Sequence, residues 1–357
     1  MKHQVAIIGG QITPVFWGIK EKDPKVVHIL YTKDSRHQIP ILKKIFPTKT
    51  INSYQVSPFD FEEIKSKVES IIFDNTNNDF ELNLTGGTKV MALACQSVFN
   101  DLKFNSFYID QKNRIFDISN NSYYAISSKI SIDTFIKLSG HTKYNYNKLS
   151  DFSSKEINFA KEIYSISKDK IFNNITSRIR KDVNDASECK HYSFKNEKYE
   201  IKWNSPQLYI KLGNKELNIN SKRAFSIAFN GFWWELIVAD VIKNWKKIYE
   251  LRLNLELFSK KLEQNVKNEI DIVVNSGHKL IFIECKSGIV KQEDINKIRA
   301  VKRLYGGVAS KSILVSKYKP REDIIEKCID LGIDVFYNRE LNGLTNKLEQ
   351  TLSKMEL

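Results

Sequence analysis

Residues 267–288 read KNEIDIVVNSGHKLIFIECKSG, and the character of the C-terminal half is decided there. Two apolar runs, Ile270–Val274 and Leu280–Ile283, flank a Ser276-Gly277 turn, the pattern of a β-hairpin or of paired strands. Asp271 falls at the start of the first strand. Glu284 and Lys286 fall at the end of the second, on one face, because strand side chains alternate with period two. Two carboxylates and an ammonium therefore share one small volume. Like charges so close are unfavourable unless a cation lies between them, and hard oxygen donors favour Mg2+ or Mn2+. An ion there would bind a phosphate oxygen, lower the pKa of a bound water and stabilise charge at phosphorus. The lysine would position that water or offset the developing anion. No Ser-His-Asp or Cys-His arrangement accompanies these residues, so hydrolysis by metal-bound water is the simplest chemistry.

Asp271 followed by Glu284-Cys285-Lys286 resembles the PD-(D/E)xK nuclease motif, with Cys285 in the variable position. Glu-x-Lys alone arises by chance in any basic protein; the upstream aspartate and a helix on each side give the pattern its weight. The resemblance implies that Asp271 and Glu284, with help from Glu235 and the Cys285 backbone carbonyl, hold Mn2+ or Mg2+, and that Lys286 aligns the attacking water. Glu235 opens an apolar helix within Gly231-Phe232-Trp233-Trp234-Glu235, an expensive setting for an unpaired carboxylate. The alternative is that it faces solvent. Glu269 is expected to point away from Asp271. Tyr249–Leu257, Ser312–Val315 and Ile333–Phe336 read as strands, and Lys291–Tyr305, Arg321–Leu331 and Leu341–Met355 as helices. This α-β-β-β-α-β order agrees with a restriction-endonuclease-like core. The basic Lys291–Tyr305 helix, with Lys297 among its charges, lies near substrate phosphates or forms a plain solvated face.

At the other end, Val5–Ile8 reads as a buried strand before Gly9-Gly10-Gln11-Ile12-Thr13-Pro14, and Val26–Tyr31 as a second before Thr32-Lys33-Asp34-Ser35. The intervening segment has helical length, so β-α-β with a parallel sheet follows. A helix at Asp60–Asn75, a strand at Phe80–Leu84 and a helix at Val90–Asn100 continue it, with Phe104–Asp110 and Arg114–Ile118 as later strands. In such sheets ligands bind at the carboxyl ends of strands. At Asn83–Lys89, glycines let backbone N–H groups approach an anion, and a helix N-terminus adds partial positive charge. Neither the P-loop order nor G-x-G-x-x-G is present. The alternative is a tight turn that needs glycine for backbone reasons alone. The three loops together resemble the ligand-facing loops of a CRISPR-associated Rossmann-fold (CARF) sensor domain. That resemblance implies a homodimer whose two-fold axis crosses a pocket for a cyclic oligoadenylate. Carried over by position, Gln11, Thr13, Thr32, Ser35, Asn83, Thr85, Gly86, Gly87, Thr88 and Lys89 become candidate contacts.

The 357 residues accommodate two domains. The expected division is a CARF sensor over 1–145, a segment over 146–220 that is either a connector or part of the nuclease domain, and a nuclease domain over 221–357. In the connector, Ser153–Ile179 has helical spacing broken near Lys168, and Tyr192–Ile219 alternates like small antiparallel strands. The net charge of +14 suits a DNA or RNA partner, although a Lys-, Asn- and Ile-rich composition also arises from genomic bias. Four cysteines without a Cys-x-x-Cys pair fit neither a zinc site nor a disulfide framework. No run reaches membrane-spanning length, so a cytoplasmic protein with no membrane partner is expected. Sensor followed by nuclease, both α/β, resembles the CARF–PD-(D/E)xK ancillary nucleases of type III CRISPR systems; the likeness is weakest across the middle. It implies a metal-dependent endonuclease for DNA, RNA or both, activated by cyclic tetra-adenylate. Two rivals differ in class: a nucleotide-responsive regulator that binds nucleic acid without cleaving it, and a ring nuclease that degrades its own cyclic ligand.

Overall fold

Short β-branched and aliphatic runs build the N-terminal sheet from β1 (Lys2–Ile7), β2 (Val26–Tyr31), β3 (Thr50–Gln55), β4 (Asp79–Asn83), β5 (Asn105–Ile109), β6 (Arg114–Asp117) and β7 (Ser122–Ala125). The structure, a computed structural model, describes residues 1–337 apart from 111, 113, 184–187, 260–265 and 307–309, together with 346 and 350. The helix expected over 341–355 therefore falls, but for two positions, outside the described residues. The strands pair in the order β3-β2-β1-β4-β5-β6-β7, parallel as far as β5 and antiparallel beyond it. Helices α1 (Thr13–Lys22), α2 (Ile39–Ile45) and α5 (Ile132–Leu138) pack one apolar cluster, and α3 (Phe61–Phe73) and α4 (Lys89–Asp101) pack another on the opposite face. The order reverses direction between β1 and β4, so the Gly9–Pro14 and Leu84–Thr88 connections meet at the switch point. Strand β3 was not among the expected elements: TINSYQ buries only Ile51 fully, and a mostly polar edge strand carries no apolar signature.

The rest of the described chain forms β8 (Tyr144–Asn147), α6 (Ser154–Ile166), α7 (Lys170–Asp182), β9 (His191–Lys195), β10 (Tyr199–Asn204), β11 (Gln207–Leu212), β12 (Lys215–Asn220), α8 (Ala224–Phe229) and α9 (Phe232–Ile242). Then come β13 (Glu250–Phe258), β14 (Val266–Asn275), β15 (Leu280–Lys286), α10 (Gln292–Val301), β16 (Lys311–Ser316), α11 (Glu322–Asp330) and β17 (Ile333–Tyr337). Strands β9–β12 make an antiparallel sheet, and a six-stranded sheet runs β17-β16-β15-β14-β13-β8. The polar stretch around Tyr144 is thus an edge strand of the second sheet. Phe159, Ile175 and Trp203 from the middle segment share one apolar cluster with Phe225 of α8, Trp234 of α9 and Ile283 of β15. Helix α9, apolar but for Glu235 and Asp240, lies between that segment and the sheet, with Trp234 Nε1 donating to the Val315 carbonyl at 3.1 Å.

Strand β15 is central, and Leu280–Cys285 is buried throughout. Ile281, Ile283 and Cys285 enter the cluster around α9; Leu280 and Phe282 enter a second cluster that also takes Ile12, Phe16 and Phe135 from the N-terminal half. Each such side chain contributes about 1.5–3 kcal/mol on burial, so the two halves meet through a shared core. No described helix is long and apolar enough to cross a membrane.

Candidate active site

Strands β14 and β15 pair from Asn275↔Leu280 to Ile272↔Ile283 and then part. The fork that opens holds Asp271 on one side and Glu284-Cys285-Lys286 on the other. Asp271 Oδ2 stands in for the missing ladder acceptor and takes the Cys285 N–H at 2.7 Å. Glu284 and Lys286 stay in register with β16, where the Lys317 N–H donates to the Lys286 carbonyl at 2.8 Å. The backbone of Cys285 therefore faces β14, and its carbonyl shares the edge on which its N–H meets Asp271. The Cys285 thiol lies in the core, and burial, then the nearby carboxylates, push it far up, which leaves it inert.

Asp271 and Glu284 are 7% and 4% exposed. Lys286 Nζ lies 3.0 Å from Glu284 Oε1 and 3.1 Å from Asp294 Oδ1. A second ammonium, Lys297 of α10, lies 3.1 Å from Glu284 Oε1 and 3.6 Å from Asp271 Oδ1. Burial raises the Asp271 carboxyl above its usual range, only partly offset by Lys297 and the Cys285 N–H; burial and Asp271 raise Glu284. Burial depresses the Lys286 ammonium, but Glu284, Asp294 and Asp271 together outweigh it and the net shift is upward.

Glu235 is half-buried and turns toward the fork, on the wall of the cleft. Its Oε2 accepts from Asn254 Nδ2 at 2.9 Å, and Asn254 Oδ1 accepts in turn from Asn147 Nδ2 at 3.4 Å. Asn254 has a φ of 48° within β13, a left-handed conformation that a strand residue rarely adopts. Burial, then Asp271 and Glu269, drive the Glu235 carboxyl well up. The expectation that Glu269 points away from Asp271 is corrected: residues two apart on a strand share a face, and Glu269 lines the same cleft. That cleft, of 970 Å³, is rimmed by Lys222, Arg223 and Lys291. Among the described residues no set of three His, Cys, Asp or Glu side chains is placed to hold an ion. The facing donors are the Asp271 and Glu284 carboxylates, hard oxygens whose repulsion a cation would relieve, and that donor chemistry fits Mg2+ or Mn2+.

At the switch point of the first sheet, the expected contacts divide in two. Asn83 is fully buried, with Nδ2 donating to the Pro14 carbonyl at 3.2 Å and Oδ1 accepting from Thr85 N–H at 3.1 Å and Thr85 Oγ1 at 2.7 Å. Thr85 Oγ1 also accepts from the Ile109 N–H at 2.8 Å. Thr88 caps α4 by accepting the Met91 N–H, and Ser35 is buried with its hydroxyl tied to Thr32. These side chains shape the loops. Gln11, Gly87 and Lys89 are exposed, and Thr13, Thr32 and Gly86 half-buried. A Cβ on Gly86 would meet the Ile7 carbonyl oxygen at 1.9 Å, and one on Gly9 would meet the Gly87 nitrogen at 2.6 Å. Gly9 and Gly86, one from each glycine pair, therefore serve close backbone approach between adjacent segments.

A family model described as the Card1 CARF domain matches residues 4–135, and one described as the Card1-like endonuclease domain matches residues 222–355. The chain belongs to the Card1-like CARF endonucleases. Among solved structures, Can2 from Sulfobacillus thermosulfidooxidans in complex with cyclic tetra-adenylate is 20% identical with a TM-score of 0.75, each chain covered over 100% of its length. Protein VC1899 from Vibrio cholerae is 16% identical with a TM-score of 0.78, over 99% of this chain and 98% of that one. A type III CRISPR defence DNA nuclease activated by cyclic oligoadenylate is 15% identical with a TM-score of 0.57, over 89% of this chain and 45% of that one. At these identities the likeness shows a shared fold. No curated protein sequence matches the chain.

The endonuclease domain holds groups that the sequence reading did not single out. Lys297 was one basic residue among several on a helix; its i,i+3 relation to Asp294, the partner of Lys286, is the signal that both face the fork. Asn254 leaves no trace in the pattern. In the CARF domain, Gln38 Nε2 donates to the Gly9 carbonyl at 2.7 Å, and its buried Oε1 has no partner among the described residues.

Proposed function

We propose that this chain is a divalent-metal-dependent endonuclease of type III CRISPR defence, acting in the cytoplasm as a homodimer that a cyclic oligoadenylate, cyclic tetra-adenylate in the first instance, switches on. One observation carries the catalytic half: buried Asp271 and Glu284 meet Lys286 at a strand fork that opens into a basic-rimmed cleft. Asp271 and Glu284, with the Cys285 carbonyl and Glu235, would hold Mn2+ or Mg2+. Such an ion supplies Lewis acidity to a phosphate oxygen and acidifies a water. Lys286, fixed between Glu284 and Asp294, orients that water and offsets charge on the phosphate. The substrate is DNA, RNA or both, in keeping with the net charge of +14.

For the regulatory half, the support is the cyclic tetra-adenylate bound in Can2, together with a contact between the two ends of this chain. Gln11 and Thr13 line a cavity of 190 Å³ with Arg303, Leu304 and Tyr305. Those three belong to a π-helical turn, Lys302–Gly306, that directly follows α10. Helix α10 carries Asp294 and Lys297, so a ligand that moves the loop also bears on the fork. Coupling requires that the ligand bind the active arrangement more tightly than the resting one. Beside the ligand turn, Phe59 and Leu93 are 76% and 65% exposed, apolar surface suited to a second protomer. The deciding experiment is cleavage of single- and double-stranded DNA and RNA with and without cyclic tetra-adenylate and Mn2+. Cleavage that needs both is expected. None under any condition leaves the non-cleaving regulator, and turnover of the labelled ring identifies a ring nuclease.

A further inference from the structure

Lys297 enters the fork from α10, outside the Asp271 and Glu284-x-Lys286 pattern. Its ammonium is 3.1 Å from Glu284 Oε1 and 3.6 Å from Asp271 Oδ1, so one cation spans the two carboxylates assigned above to a divalent ion. Lys286 is placed differently: its ion pairs are with Glu284 and Asp294, at the side of the fork. Two buried carboxylates are costly without positive charge beside them, and the Lys297 ammonium supplies it to both. A divalent ion held by the two carboxylates would repel an ammonium at ion-pair distance from both. The Lys297 side chain is 33% exposed and lines the 970 Å³ cleft, so its four-carbon stem has open space to swing into.

We propose that Lys297 is a resident counter-cation, seated where the metal binds in the metal-free enzyme and displaced toward the cleft when the ion arrives. It is a positioning residue: it keeps the carboxylates paired until the ion replaces it. Ion and ammonium then compete for the same oxygens. The inference rests on the metal-dependent reading of the same fork.

The test uses the full chain without substrate or activator, with Mn2+ binding followed by water-proton relaxation. Replacing the ammonium with a neutral side chain of similar length, Lys297→Met, removes the competitor. Mn2+ affinity is expected to rise about tenfold or more, within the usual range of coupling between linked sites. Lys297→Arg keeps the charge and should bind Mn2+ within about twofold of the unaltered chain, against that same scale. Melting curves in chelator should show Lys297→Met destabilised and Mn2+ restoring it, which separates the competition from a folding defect. Unchanged or weaker Mn2+ binding in Lys297→Met overturns the proposal, provided that Glu284→Ala still abolishes binding. If the unaltered chain binds no Mn2+, or Glu284→Ala binds it as well, the metal reading of the fork falls and this inference with it.

Discussion

At the first sheet's switch point, Gly86 and Gly9 bring backbone against backbone and the polar side chains tie loops to one another; at the fork between β14 and β15, two buried carboxylates meet two ammonium groups, with half-buried Glu235 on the wall of the same cleft. One surface is made of chain shape, the other of charge. A shape-built surface fails when an atom is added. A charge-built surface fails when a charge is removed, and its stability follows pH and metal. The two respond to different perturbations, which makes the comparison testable.

The largest expected effect is at the fork. Glu284→Ala or Lys286→Ala should lower activated cleavage by at least about 10²–10³-fold, the scale of losing one preorganised electrostatic group. Affinity for cyclic tetra-adenylate, measured by calorimetry, should stay unchanged in both. Cleavage that survives in both variants breaks the assignment. The counterpart at the first site is Gly86→Ala, whose new methyl would overlap the Ile7 carbonyl. Overpacking of this kind costs about 1–3 kcal/mol, so a lowered melting temperature and a large loss of ligand affinity are expected. A variant that melts and binds like the unaltered chain would show that the turn has room to relax. Smaller still is Lys89→Ala, on the exposed first residue of α4. Losing one charge-assisted hydrogen bond of about 1.5–3 kcal/mol weakens ligand binding roughly tenfold to a hundredfold, with cleavage at saturating ligand retained. An unaltered affinity would remove Lys89 from the contacts.

The contrast between shape and charge also explains what the sequence disclosed. Asp271, Glu284 and Lys286 were legible because strand periodicity places them without knowledge of any distant element. Glu235 was legible because a carboxylate beside Trp233 and Trp234 demands an explanation. Lys297 and Asn254 were hidden: their positions depend on how α10 and β13 pack against the fork, and that is long-range geometry. The glycine loops were legible as loops, but the sequence could not assign their hydroxyls. Thr85 and Thr88 look like ligand donors in a string of letters, and their bonds to Asn83, Ile109 and Met91 emerge only in three dimensions. Strand β3, polar and at an edge, had nothing to announce it.

The smallest effect separates charge from shape by pH. The Glu235 carboxyl is raised in the folded chain, chiefly by burial and then by Asp271 and Glu269. A group whose folded pKa lies above its unfolded value gives stability that is complete below the unfolded value, near pH 4, and is lost as pH rises through the folded one. Asp271 and Glu284 shift in the same direction. In chelator the chain should therefore lose stability at this cleft as pH rises above about 4. Glu235→Gln keeps an oxygen to accept from Asn254 and removes one charge, so its melting temperature in chelator at neutral pH should exceed that of the unaltered chain. Each pKa unit relieved corresponds to about 1.4 kcal/mol, and the advantage should vanish near pH 4. Mn2+ at neutral pH should reverse the order, because the unaltered chain gains a ligand that the amide replaces poorly. A Glu235→Gln profile parallel to the unaltered one across this range would mean that the carboxylate is already neutralised in the folded chain by something other than a proton. In that case the fork would be less starved of positive charge than its burial demands.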